Sequence, residues 1–158
     1  MIEKLKSEIE ELKRSGRYPS NASYILPALR KAEEIVGYAD SEVIKTIAEI
    51  LEVKPIEVEE AAEFYVMFHT KPRGKHVIRV CTNLSCMLNG GEEVLKRVCE
   101  ILNVKPGETT EDGLFTVEEF ECMGLCDGAP SMTIDDKRFE KVSIEDIPNI
   151  LKEFGWKG

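Results

Sequence analysis

His76-Val77-Ile78-Arg79-Val80-Cys81-Thr82-Asn83-Leu84-Ser85-Cys86 opens the second half of this 158-residue chain, and its first six residues are a β-branched run that predicts a strand ending on a cysteine. A helix should follow, with Val94, Leu95, Val98, Cys99, Ile101 and Leu102 on its buried side and Pro106-Gly107 closing it. Asp112-Gly113 then turns the chain into a second strand over residues 114–121, and Cys122 follows at once. A strand-helix-strand crossover of this length implies two parallel strands whose C-terminal ends share one edge of a sheet. Cys86 and Cys126 stand in the loops just beyond those ends, so the four sulfurs of Cys81-x4-Cys86 and Cys122-x3-Cys126 can converge where open α/β sheets commonly carry their sites. Residues 131–135 and 138–142 read as a hairpin turned at Asp135-Asp136-Lys137, and residues 144–154 as a terminal helix.

Outward from that half, residues 1–74 read as helices with no strand among them. Ile2, Leu5, Ile9 and Leu12 recur at helical spacing up to Gly16; Ile25, Leu26, Leu29, Ala32 and Val36 mark a second helix, which ends near Gly37. Asp40 offers an N-cap to a third helix carrying Val43, Ile44, Ile47, Ile50 and Leu51. Pro55 suits the first turn of a fourth, which should bury Val58, Ala61, Ala62 and Tyr65 and run out at His69-Thr70-Lys71-Pro72. The fold class is therefore α+β: a helical bundle over residues 1–74, then an α/β domain with a four-stranded mixed sheet over residues 75–158. No internal repeat or low-complexity tract is present.

Composition excludes several functions. The chain is 42% apolar and carries a formal net charge of −9, the balance of a folded soluble protein whose surface repels phosphate backbones, so no nucleic-acid partner is expected. No apolar run is long enough to span a bilayer, and the first twelve residues alternate charge with Ile and Leu, so an intracellular, cytoplasmic protein without membrane insertion is expected. Twenty-four Glu against 6 Asp and no Gln lean toward the composition of thermophile proteins, which says nothing about chemistry.

Four converging thiolates can hold two disulfides, a structural zinc or an iron-sulfur cluster. Disulfides are disfavoured in a chain read as intracellular. Tetrahedral sulfur suits zinc as well as iron, and spacing alone leaves both open; zinc sites usually pair their ligands at x2, whereas wider loops can span a binuclear [2Fe-2S] cluster. Cys99 lies four residues after Leu95 and three before Leu102 and reads as a core side chain. His69 and His76 are both remote in sequence from the cysteine pairs, which excludes the histidine ligation of a Rieske centre. Without Cys-x-x-Cys, dithiol exchange is not expected; without a glycine-rich phosphate loop, neither is FMN or NAD binding by this chain.

The residues around the pairs are more specific. Cys81-Thr82-Asn83-Leu84-Ser85-Cys86-Met87-Leu88-Asn89-Gly90, Glu111-Asp112-Gly113-Leu114-Phe115-Thr116 and Glu121-Cys122-Met123-Gly124-Leu125-Cys126-Asp127-Gly128-Ala129-Pro130 closely resemble the thioredoxin-like [2Fe-2S] ferredoxins. Ile25-Leu26-Pro27-Ala28-Leu29 and Glu63-Phe64-Tyr65-Val66-Met67-Phe68 extend the resemblance to the E (24-kDa-type) subunits of NADH:quinone oxidoreductase and their relatives in electron-bifurcating hydrogenases and NAD-dependent formate dehydrogenases. It implies a thioredoxin-like second domain and one [2Fe-2S] cluster on Cys81, Cys86, Cys122 and Cys126. It also implies a one-electron carrier, without a catalytic group of its own, beside an FMN-binding, NAD(P)-linked flavoprotein subunit and further iron-sulfur subunits, either cytoplasmic or peripheral to a membrane complex. The rival of another class is a zinc-stabilised interaction module. Leu125 and Gly128 depart from common family residues and leave the ligand positions intact.

In that light a helix starting just after Cys86 should present its N-terminus to the cluster, Gly90 and Gly91 should allow close approach, and Gly124 and Gly128 should let loop amides face sulfur or serve tight turns. Leu84, Met87, Leu88, Met123 and Leu125 should form an apolar rim that either meets a partner or folds over the cluster. Ala129-Pro130 stands where thioredoxin-type folds often hold a cis proline.

Overall fold

A computed structural model describes residues Met1–Gly158, which divide into two compact units, Met1–Pro72 and Arg73–Gly158. The first unit is helical: α1 (Ile2–Arg14), α2 (Ile25–Ile35), α3 (Ser41–Leu51) and α4 (Pro55–Phe64), with a 3-10 turn at Asn21–Tyr24. Its core is made where the apolar stripes meet, with Leu5 and Ile9 of α1, Leu29 of α2, Ile47 and Leu51 of α3 and Val58 of α4 fully buried. Each such side chain contributes about 1.5–3 kcal/mol by leaving water. Asp40 caps α3, its Oδ1 accepting the N–H groups of Glu42 and Val43 at 3.0 Å each. At the other end of α3 the Lys13 ammonium donates to the Ile50 carbonyl at 2.8 Å and pairs with Glu52, a cation placed where the helix leaves carbonyls unbonded.

The fourth helix is shorter than its sequence pattern predicts. It stops at Phe64, and Tyr65 turns extended with φ −93° and ψ 108° and lies exposed instead of buried. Residues 64–68 are apolar at every position, so no single helical face can bury them. The chain instead folds back so that Phe68 packs on the helical core and the His69 amide donates to Glu33 Oε1 at 2.6 Å, while its carbonyl accepts the Ala39 N–H at 2.7 Å.

In the second unit, β1 (His76–Cys81), β2 (Phe115–Phe120), β3 (Met132–Ile134) and β4 (Lys137–Phe139) form one mixed sheet in the order β2-β1-β3-β4. β1 and β2 are parallel, His76 opposite Phe115 and Cys81 opposite Phe120, whereas β3 runs antiparallel to β1 and β4 to β3. The crossover carries α5 (Leu84–Leu88) and α6 (Gly91–Leu102), and α7 (Ile147–Glu153) closes the unit. Val94 and Val98 of α6 and Ile147 and Leu151 of α7 share a core with Ile78, Phe115, Val117 and Ile134 of the sheet.

Two boundaries shift from expectation. The hairpin is only three residues per strand, because Asp135, at φ 53°, turns at once and its carboxylate accepts the Val77 N–H at 2.9 Å and meets His76 Nδ1 at 2.7 Å. The last helix begins at Ile147, not residue 144: Asp146 donates its N–H to the Ser143 carbonyl in a preceding turn, and Pro148 sits in the first helical turn, where a missing N–H costs nothing.

Candidate metal centre

Cys81 is the last residue of β1 and is buried between two strands. Its N–H donates to the Ser131 carbonyl at 3.1 Å, at the entry to β3, and the next amide, of Thr82, donates to Phe120 of β2 at 3.0 Å. Its sulfur lies 3.3 Å from the Glu121 carbonyl, the residue before Cys122. Cys86 sits inside α5, also buried, with Sγ 3.4 Å from Ser131 Oγ. Asn83 caps that short helix by accepting the Leu84 N–H at 2.9 Å. Cys122 and Cys126 are exposed in the loop after β2; Cys122 Sγ accepts the Gly124 N–H at 3.4 Å, and Cys126 opens a 3-10 turn at Cys126–Gly128. Gly124 adopts φ 74°, a backbone region that a side chain would disfavour.

Electrostatics tie the two pairs together. Burial pushes the Cys81 thiol up, and neighbouring Cys86 adds to that, while backbone N–H groups of Asn83 and Met123 oppose it. For Cys86 burial also acts upward, but hydrogen bonds from the Ser131 hydroxyl, Cys81 and the Ser131 amide outweigh it and hold the thiol below its ordinary value. Cys126 is raised first by its hydrogen bond and charge interaction with Cys122 and then by burial; the Ser85 hydroxyl opposes this, and the charge of Cys86 adds to it. Thiolates brought this close repel one another, and a cationic centre among them removes the penalty and the protons together. No three His, Cys, Asp or Glu side chains gather for a single metal ion. The chain supplies two thiol pairs, four sulfurs in all, the number that a binuclear centre with two ligands per iron needs.

The family model for thioredoxin-like [2Fe-2S] ferredoxins matches residues 12–155. The chain belongs to this family. It is similar to the E 2 subunit of NADH-quinone oxidoreductase from Rhizobium meliloti (strain 1021), 37% identical over 95% of this chain and 88% of that protein. It is also similar to the E subunit of NADH-quinone oxidoreductase from Aquifex aeolicus (strain VF5), 33% identical over 96% of this chain and 94% of that one. Among solved structures, an NAD+-reducing [NiFe]-hydrogenase in the H2-reduced state superposes with a TM-score of 0.72 at 22% identity over 84% of this chain, a likeness of fold; the chain spans 22% of that hydrogenase chain.

As a thioredoxin-like [2Fe-2S] ferredoxin the protein takes one [2Fe-2S] cluster, and the two thiol pairs at one edge of its sheet fit that group in donor type and number. The fold expected for the family is present, down to a cis Ala129-Pro130 peptide. The helix expected just after Cys86 starts later, at Gly91, whose backbone still lies against the Cys81 and Cys86 segments. Cys86 lies within the short α5, which Asn83 caps, and the one loop amide seen bonded to a cysteine sulfur is that of Gly124 on Cys122. Gly128 does not aim its amide at sulfur; it donates to the Leu125 carbonyl at 3.1 Å and closes the turn. Gly91 does allow a close approach, since a Cβ there would stand 2.6 Å from the Cys81 carbonyl oxygen and 2.9 Å from the Cys86 carbonyl.

The remaining cysteine is a poor ligand. Cys99 is half-buried against the core of its unit, where burial first and the charge of Glu108 second push its thiol up, away from the thiolate that metals bind. His76 is bound to Asp135 at the opposite end of β1, and His69 belongs to the helical unit beside Glu33. Of the apolar rim, Leu84, Met87 and Leu88 are exposed, whereas Met123 and Leu125 are half-buried. Ser85 and Ser131 escaped sequence reasoning. Nothing in their spacing pairs them with Cys126 or Cys86, although Ser131 directly follows the proline the family resemblance singles out.

Proposed function

We propose that this protein is a one-electron carrier subunit of an NAD(P)H-linked oxidoreductase complex of the NADH:quinone oxidoreductase E-subunit type. Cys81, Cys86, Cys122 and Cys126 hold its cluster, and an FMN-binding flavoprotein subunit lies next to it, with further iron-sulfur subunits in the complex. The observation that carries the reading is the placement of two thiol pairs, separated in the chain by 35 residues, at the C-terminal edge of β1 and β2. A bound [2Fe-2S] cluster takes up and returns one electron. Around it, Cys81 and Cys86 give buried attachment to the sheet and α5, while Cys122 and Cys126 close the solvent side from a loop. We take the two compact units as two domains, the second carrying the centre. Relatives at 33–37% identity are quinone oxidoreductase subunits, which favours that parent complex over a hydrogenase or formate dehydrogenase.

Anaerobic purification and metal analysis test this. Iron and acid-labile sulfide are expected at about two each per chain, with an EPR signal only after reduction. Serine at Cys81, Cys86, Cys122 or Cys126 should abolish or distort the visible absorbance, and Cys99→Ser should preserve it. Stoichiometric zinc that iron reconstitution cannot displace would make the protein a zinc-stabilised interaction module instead.

A further inference from the structure

We infer that Ser131 is a positioning residue that raises the reduction potential of the centre through a hydrogen bond to the Cys86 sulfur. The inference rests on the reading that Cys86 is a cluster ligand. Ser131 is 1% exposed, so no water competes for its hydroxyl, and Oγ lies 3.4 Å from Cys86 Sγ. Its carbonyl accepts the Cys81 N–H at 3.1 Å. One residue thus touches both members of the first cysteine pair.

The direction of the effect follows from charge. In the free thiol either Cys86 or Ser131 can donate; an iron-bound thiolate has no proton, so the hydroxyl must donate to sulfur. Two ferric ions, two sulfides and four thiolates sum to −2, and one-electron reduction makes this −3. A donor held at a ligand sulfur stabilises the more negative state more strongly, and hydrogen bonds to sulfur are among the factors that set the potentials of these centres. The hydroxyl therefore favours reduction.

The experiment uses the full chain with its cluster, in wild-type, Ser131→Ala, Ser131→Gly and Ser131→Thr forms, each titrated potentiometrically with absorbance and EPR detection. In the Ala and Gly variants the ratio of reduced to oxidised cluster at a fixed poise should fall about tenfold, which is about 59 mV for a one-electron couple. The Thr variant, which keeps the hydroxyl, should restore most of that loss. Pulsed EPR of the reduced protein in deuterated water should show an exchangeable deuteron coupling that weakens in the Ala and Gly variants. A loaded wild type whose potential is unmoved by both substitutions overturns the role of Ser131 alone, as does a Thr variant shifted as far as Ala. Folded Ala and Gly variants that take up no cluster also overturn it, because Ser131 would then build the site instead of tuning it. A wild-type chain that cannot be loaded with iron removes Cys86 as a ligand and this inference with it.

Discussion

Gly91 packs tightly against the segments that carry Cys81 and Cys86. The atoms that a Cβ would strike are the Cys81 carbonyl oxygen and the Cys86 carbonyl group, all backbone, so no side-chain rotation relieves the clash. Gly91→Ala should therefore displace one cysteine segment from the other, costing about 1–3 kcal/mol as other overpacking substitutions do. Urea unfolding of the apo chain reads the stability, and the rate of cluster loss to a chelator reads the geometry; a variant equal to wild type in both would show that the segments separate freely. Gly128 is tight in a similar way, because an added Cβ there would meet the Glu140 carboxylate, which can swing away, and also the Glu140 Cβ at 2.7 Å, which cannot. At the same scale Cys99 illustrates how environment sorts chemically identical groups: burial and Glu108 disfavour its thiolate, while Ser131 favours that of Cys86.

The element that most distinguishes the site is α5, five residues held by the Asn83 cap and carrying Cys86 inward. Its outward face presents Leu84 at 63% exposure and Leu88 at 73%, beside the sulfurs. A helix this short gains nothing from displaying two leucines to water, and under the proposed function the flavoprotein subunit covers them. Leu84→Asp with Leu88→Asp should leave the absorbance of the cluster unchanged and weaken association with that subunit at least tenfold, since two exposed leucines buried in an interface contribute more than about 1.4 kcal/mol together. Co-sedimentation or calorimetry with the purified flavoprotein measures it. Undiminished affinity in the double variant would move the contact away from α5.

For the whole molecule the prediction concerns what it cannot do alone. It has no glycine-rich phosphate loop and no paired acid and base at the sulfurs, so the isolated holoprotein should show no oxidation of NADH or NADPH. Mixed with the flavoprotein that co-purifies with it, the cluster should bleach when nucleotide is added. Stopped-flow absorbance follows both arms. Rapid reduction without flavoprotein would reveal a nucleotide site in this chain, and a reduced flavin beside an oxidised cluster would remove the electron-carrier reading.

Local pattern was enough for much of this. The limits of β1 match its β-branched run, Asp40 and Pro55 start their helices, and the parallel pairing of β1 with β2 follows from a crossover too long for a hairpin. From that pairing the two cysteine pairs had to arrive at one edge. Where neighbours in sequence compete with neighbours in space, local pattern failed: α4 ends at Phe64 because Phe68 and His69 are drawn back to the helical core and Glu33, and the helix expected after Cys86 is displaced because Cys86 is itself helical. Ser131 shows the limit most clearly. Antiparallel pairing sets Met132 opposite Val80, which brings residue 131 to Cys81 and its hydroxyl to Cys86, 45 positions earlier in the chain. A hydrogen bond of that kind depends on how strands are ordered across a sheet, and no periodicity within either segment encodes it.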